Sequence, residues 1–276
     1  MDRQATGSDP GFDTQLDLSD PDHFSDAEAA ALLEWYESSH ADGEPGLTDF
    51  VGFLIGVRPR ALKRYRAYAQ ALHAHGGVPQ LAVALFFLRY YMTLGNEKGV
   101  LYEVVAARQW GATKAEVLDT IESGFLMSGP FGANAAAKSQ AYLDGWPADE
   151  PRRLADPWPA SWLDREIPAA PESASDRFLR RFAPDVLDAF TARQAPLTGR
   201  RPALPAPMFP MLDLHHAVAD GRPAEAADAA RAAFAAGLSI AELIEVVGFG
   251  ALYASPPRLA AVAEALEPVF SMESGR

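Results

Sequence analysis

The sequence predicts an all-α protein in which one helical unit is used twice, and three observations lead there. Apolar residues recur at helical period along the chain, while the strict alternation that marks a half-buried strand is absent. The stretch from Asn96 to Asn134, NEKGVLYEVVAARQWGATKAEVLDTIESGFLMSGPFGAN, reads as a helix, a Gly-Ala-Thr break, a second helix, and a Gly-Pro-Phe-Gly turn into a third. The same order returns from Arg222 to Ala260, with Gly111 and Gly237 standing 126 positions apart. In that register Ala106/Ala232, Ala107/Ala233, Ala115/Ala241, Glu116/Glu242, Gly124/Gly250 and Pro130/Pro256 are identical, and Thr113/Ser239, Val117/Leu243, Leu118/Ile244 and Ile121/Val247 are alike. Self-similarity at a fixed offset is the mark of a repeated unit.

Along the chain, residues 1–25 are rich in Asp, Ser, Gly and Pro and read as a disordered or loose tail. The first repeat spans 26–143. Ser25 and Glu28 form a capping box for a helix whose apolar face is Leu32, Leu33, Trp35 and Tyr36, broken at Gly43 to Gly46. A helix from Pro59 to His73 follows, with proline at an early position. Its basic run RPRALKRYR reads as a solvated face. VPQLAVALFFLRYYMTLG is apolar nearly all round, so it belongs in the core, and Asn96 is a good N-cap for the helix after it.

Residues 144–175 form a connector whose six prolines forbid a long helix. Trp146, Trp158 and Trp162 predict that it packs on the body rather than running free. The second repeat spans 176–276. It opens in a register of 125, matching Phe178 to Phe53, Leu179 to Leu54, Pro184 to Pro59, Leu187 to Leu62 and Phe190 to Tyr65. LPAPMFPMLDLHHAVADG is its counterpart of the core helix, shorter and interrupted by Pro210, and PPRLAAVAEALEPVF closes the chain as a helix.

Composition narrows the function. The chain has 276 residues, 49 % of them hydrophobic, enough for a sizeable core. A net charge of −13 disfavours nucleic acid and anionic membranes as partners. The absence of cysteine removes disulfides, thiolate nucleophiles and cysteine metal sites, and a reducing cytoplasm is the expected setting. No targeting segment is expected, and the longest apolar run, LAVALFFL, is far short of the ~20 residues that span a bilayer.

The order helix, GAT or GLS, helix, G-x-P, helix, preceded by a buried helix and a proline-initiated one, resembles the carboxymuconolactone decarboxylase / alkylhydroperoxidase D-like superfamily. The resemblance covers roughly residues 50–143 and again 175–270, and rests most on Gly111-Ala112-Thr113 with Glu116, the Gly129-Pro130 turn, and Asn134. It implies that the two repeats pack as an internal pseudo-dimer. It also implies a catalytic set: a Glu on the buried helix, then Cys-x-x-Cys-x-x-x-His or a His at the same last position. Counted back from Gly111 those positions hold Ala84, Asn96, Gly99 and Glu103; counted back from Gly237 they hold Pro210, Arg222, Glu225 and Ala229. Neither repeat keeps the family set, so thiol peroxidase chemistry is excluded and the family activity does not carry over unchanged.

Positions 96, 99 and 103 share one helix face, which in the family lines the pocket. Glu103 there is a candidate general acid or base if desolvated, and otherwise a surface or paired charge. Tyr91, two turns from Ala84, is a candidate donor to a carbonyl, or a packed core tyrosine with its hydroxyl at the edge. His215 and His216, with Asp213 placed to orient an imidazole, are candidates for proton transfer; the plainer reading is a frayed helix end facing water. Arg89 is a candidate anion holder, and Tyr102, Asn96, Phe131 and Asn134 complete the candidate substrate-binding set. Asn96 is equally a simple helix cap, and Phe125, Met127 and Phe131 are pocket wall or core. No metal-ligand spacing is present, so neither metal nor cofactor is expected. The expected function is a cofactor-free, non-redox enzyme acting by acid–base chemistry on a small carbonyl or carboxylate compound, aromatic-derived or lactone, as lyase, decarboxylase, hydrolase or isomerase. The alternative is a catalytically degenerate ligand-binding or protein-interaction scaffold. A small-molecule substrate is the expected partner, and a homo-oligomer is compatible with the sequence.

Overall fold

The protein is described by a computed structural model that covers residues 16–39 save 18 and 21, 49–73, 77–165, 174–198 and 202–275. Every regular element among them is helical. The helices are α1 (Asp26–Ser39), α2 (Asp49–Val57), α3 (Pro59–His73), α4 (Gln80–Leu94), α5 (Glu97–Gln109), α6 (Lys114–Ser128), α7 (Pro130–Ala136), α8 (Gln140–Asp144), α9 (Ala160–Leu163), α10 (Ala174–Phe182), α11 (Pro184–Thr198), α12 (Met208–Asp220), α13 (Pro223–Ala235), α14 (Ile240–Ala251) and α15 (Pro256–Ser274).

At the chain's start Ser25 and Glu28 make the expected capping box. Glu28 also pairs with Lys63 at 2.8 Å, and Lys63 donates to the His23 carbonyl at 2.6 Å. This corrects the reading of RPRALKRYR as a wholly solvated face: Lys63 is fully buried, its charge matched at once by a carboxylate and a carbonyl. Leu16, near the end of the expected loose tail, packs against Leu62. Residues 1–15, the side chains of Leu32, Leu33, Trp35 and Tyr36, and the break at Gly43 to Gly46 lie outside the described residues.

The core is built around α4 and α12. Each is apolar on most of its surface, each ends on a left-handed glycine, Gly95 (φ 66°) and Gly221 (φ 68°), and the two pack against one another. Pro210 does not interrupt α12 as expected. It lies in the first turn, where a backbone N–H has no intrahelical acceptor to lose. α5 packs on α4, and α13 on α12. After each comes a glycine at positive φ, Gly111 or Gly237, and a capping box, Thr113 with Glu116 before α6 and Ser239 with Glu242 before α14.

The contacts between the two groups of helices are reciprocal. α11 packs on α6, and α3 packs on α14. Buried Asp119 of α6 accepts from the backbone N–H groups of Ala203 and Leu204 at 2.6 and 3.3 Å. Buried Glu245 of α14 accepts from those of Gly77 and Val78 at 3.1 and 2.6 Å. All three positions in the first set map onto the second in the register of 126. Each carboxylate thus satisfies N–H donors in the segment leading into the other group's core helix.

The connector binds both groups. Trp158 donates through Nε1 to Glu116 at 2.6 Å, and Trp162 donates to Glu242 at 2.9 Å. Their rings stack with centroids 6.0 Å apart. Arg152 donates to the Gly111 carbonyl and pairs with Glu116, and Arg165 donates to the Ala236 carbonyl. Trp146, Trp158 and Trp162 are all buried.

Candidate functional site

The chemistry-bearing side chains fall into two clusters, both resting on α4. The first surrounds Glu103. This residue lies on the inner face of α5 with only 6 % of its surface exposed, and burial pushes its carboxyl well above the ordinary range, favouring the protonated form. Gly99, one turn before it, explains how the neighbouring Tyr91 of α4 fits. A Cβ at position 99 would lie 2.7 Å from Tyr91 Cδ2. The missing side chain is therefore the space the tyrosine ring occupies. The Tyr91 hydroxyl lies 2.7 Å from the hydroxyl of Tyr253, in the turn after α14.

Tyr253 and Tyr65 of α3 both stand within the field of Glu103. The Tyr253 hydroxyl is pushed well above its usual range by burial first, then by Tyr91, Tyr65 and Glu103. Tyr65 is also raised, by burial first; the Arg66 charge opposes the rise and Glu103 adds to it. Phe87 and Tyr90 close the group, their rings 5.6 and 4.8 Å from that of Tyr253. Tyr65, Phe87, Tyr91 and Tyr253 each keep part of their surface open, so the buried carboxyl sits behind an accessible aromatic rim.

The second cluster lies where α4 crosses α12. Buried Arg89 donates through Nη2 to Asp213 at 2.5 Å, while its Nε and Nη1 have no hydrogen-bond partner among the described residues. His215 stacks on Phe86 at 5.3 Å and His216 sits edge-on to Tyr90 at 5.7 Å. Burial, assisted by Arg89, lowers His215 to about 3 and His216 to about 2, so both imidazoles are neutral at physiological pH. Neither is at a frayed end facing water; both are buried. Asp213 does not orient an imidazole. It holds Arg89, and the carboxylate facing His216 is Asp220 at 3.3 Å, one turn further along.

The remaining candidates stand apart. Asn96 is exposed and accepts from the Gly99 N–H at 3.0 Å, the cap its position suggests. Tyr102 packs towards Leu16 and Leu62. Asn134 is exposed, and so are Phe125, Met127 and Phe131, which are not core. Phe131 lies over Gly95. The structure therefore joins Glu103 with Tyr91, joins Arg89 with His215, His216 and Asp213, and leaves the other four outside both groups.

Sequence reasoning passed over Tyr65 and Tyr253 because both belong to stretches read as ordinary repeat. One signal was available. In the two registers Tyr65, Tyr91, Glu103 and Tyr253 correspond to Phe190, Ala217, Ala229 and Met127. Every polar member of the cluster has an apolar counterpart, an asymmetry that a position-by-position comparison of the repeats exposes.

A separate cleft of about 670 Å³ opens beside the connector, between Trp158, Arg152, Arg165 and residues 202–206. It touches neither cluster. Among the described residues no group of three or more His, Asp or Glu side chains is arranged to hold a metal ion, and no helix is long and apolar enough to cross a membrane. In comparisons with known proteins, no family model, curated protein or solved structure gave a significant match to this chain.

Proposed function

We propose that this chain is a duplicated carboxymuconolactone-decarboxylase-like module whose halves pair as an internal pseudo-dimer, and that one half carries a cofactor-free acid–base active site at Glu103. The reciprocal packing of α3 on α14 and α11 on α6, with the matched Asp119 and Glu245 contacts, supports the pairing, because a two-fold interface uses each patch twice. The observation that carries the catalytic reading is a single one: a buried carboxyl, unmatched by any ion pair among the described residues, behind a partly open rim of three tyrosines.

An unpaired buried carboxylate is costly, so its retention on an inner helix face points to chemistry. The electron pair of a breaking or shifting bond first gathers on an adjacent carbonyl oxygen as an enolate. Glu103, in its acid form, then delivers its proton to the α-carbon as that pair returns from oxygen to form the new C–H bond and the carbonyl is restored. Water at the rim then restores the proton. This covers isomerisation, lactone or C–C cleavage, and decarboxylation of a small carbonyl compound.

The test is turnover across a panel of enolisable ketones, lactones and aromatic keto acids. Glu103→Gln keeps the shape of the protonated acid and is expected to lose activity about a hundredfold or more with unfolding unchanged. Equal turnover by the variant would remove Glu103 from the mechanism. Binding by both proteins without turnover would favour the scaffold reading.

A further inference from the structure

We infer that Tyr253, reaching in from the second half, supplies the hydrogen bond that binds the ligand's oxygen, and that this oxygen is a carbonyl or phenol rather than a carboxylate. The inference rests on the proposed site at Glu103. Tyr253 meets only one hydrogen-bond partner among the described residues, the Tyr91 hydroxyl at 2.7 Å. A phenol hydroxyl carries one donor and two acceptor positions. When Tyr91 donates to it, the Tyr253 proton is left to donate onward, and a hydroxyl that accepts one bond is polarised into a better donor for the next.

The surroundings select the ligand. The rings of Phe87, Tyr90 and Tyr91 approach that of Tyr253 to between 4.8 and 6.0 Å, so the rim favours a flat, unsaturated molecule. Of the buried cations among the described residues, Arg89 gives one N–H to Asp213 at the α4–α12 crossing and Lys63 is paired with Glu28. A carboxylate entering beside Glu103 would meet a second acid in a desolvated setting, whereas a carbonyl or phenol oxygen would meet neutral donors. The negative charge that develops on such an oxygen during enolisation is what those donors would stabilise.

This assigns the two halves different parts in one site. Glu103 and Tyr91 come from the first, Tyr253 from the second, and the register places a thioether, Met127, where a donor would be needed for a second site of the same kind.

The experiment is calorimetric titration of three probes of one shape, 2-naphthol, naphthalene and 2-naphthoate. The wild-type protein should bind 2-naphthol about tenfold more tightly than either of the others. Tyr253→Phe should bring 2-naphthol down to the level of naphthalene while leaving naphthalene itself unchanged, which also shows that the variant keeps its rim. Unchanged 2-naphthol affinity in Tyr253→Phe, tighter binding of 2-naphthoate, or no binding of 2-naphthol to wild type would each overturn the inference. Turnover lost in Glu103→Gln alongside unchanged naphthol binding in Tyr253→Phe would reject this inference and keep the acid–base reading. Naphthol binding that depends on Tyr253, in a protein without turnover, would do the reverse.

Discussion

Glu103, on the inner face of α5, stands with Tyr65, Tyr91 and Tyr253; in the two sequence registers these four positions correspond to Ala229, Phe190, Ala217 and Met127. The supporting frame is the same in both: a left-handed glycine after the core helix, another before a capping box, and a carboxylate reaching across to the opposite segment. The difference teaches that backbone architecture and chemistry are separately specified. The apolar residues at the second set of positions leave nothing to titrate. At the first, a carboxyl is kept buried where an alanine would be more stable.

The sharpest way to break that comparison is to transplant the acid. Ala229→Glu places a carboxyl at a buried position of α13, and the variant is expected to lose about 3 kcal/mol in urea unfolding at neutral pH. A loss below about 1 kcal/mol would mean that the second position is hydrated and that the asymmetry is shallower than the side chains imply.

The reciprocal carboxylates sharpen the opposite side, the sameness of the frame. Asp119→Ala and Glu245→Ala each strand two backbone N–H groups, those of Ala203 and Leu204 or of Gly77 and Val78. Each should cost about 2 kcal/mol, and the double variant should cost nearly the sum, since the two contacts share no partner. Unequal losses in chemical unfolding would show that one of the two contacts carries more of the packing.

The last expected effect is read as a slope rather than as a loss at one pH, in the pH dependence. His215 and His216 titrate near 3 and 2 in the folded chain against 6.5 in a free histidine. A lowered folded value means that the unfolded chain binds the protons, so this contribution is fully present above pH 6.5 and is lost as pH falls towards 3 and 2. Each histidine adds a slope of up to about 1.4 kcal/mol per pH unit across that window. Glu103 has the opposite sign, because a raised carboxyl favours the folded state most below 4.5 and loses that advantage as pH rises. His215→Gln or His216→Gln should therefore each flatten the acid limb of the stability profile by about half, and an unaltered limb would mean that the imidazoles gain water on the way to acid unfolding.

Much of the fold could be read from the chain before any coordinates. Helical period, the Gly111 and Gly237 breaks and the proline-initiated helices are local signals, and local signals survive in sequence. Glu103 was legible because a helical register assigns it a face. Tyr253 was not, since nothing local says that a turn after α14 will fold back onto α4. The partner of His216 was misassigned for a similar reason. Asp213 and Asp220 lie one turn to either side of it, and only the packing of Arg89 against α12 decides which is already occupied. Lys63 shows the limit of charge patterning: in a run of basic residues one side chain turned inward because Glu28, far away in sequence, was waiting for it.

The stacked indoles of Trp158 and Trp162 give the molecule an optical witness of its own. Their rings lie 6.0 Å apart, and each is tethered to the glutamate that opens a different helix, α6 or α14. Neighbouring chromophores so placed share their excitation, and the near-ultraviolet circular dichroism of the pair depends on the angle between them. A rocking of α6 against α14 when a ligand enters would change that angle, and so register in the unlabelled protein as a change of spectrum.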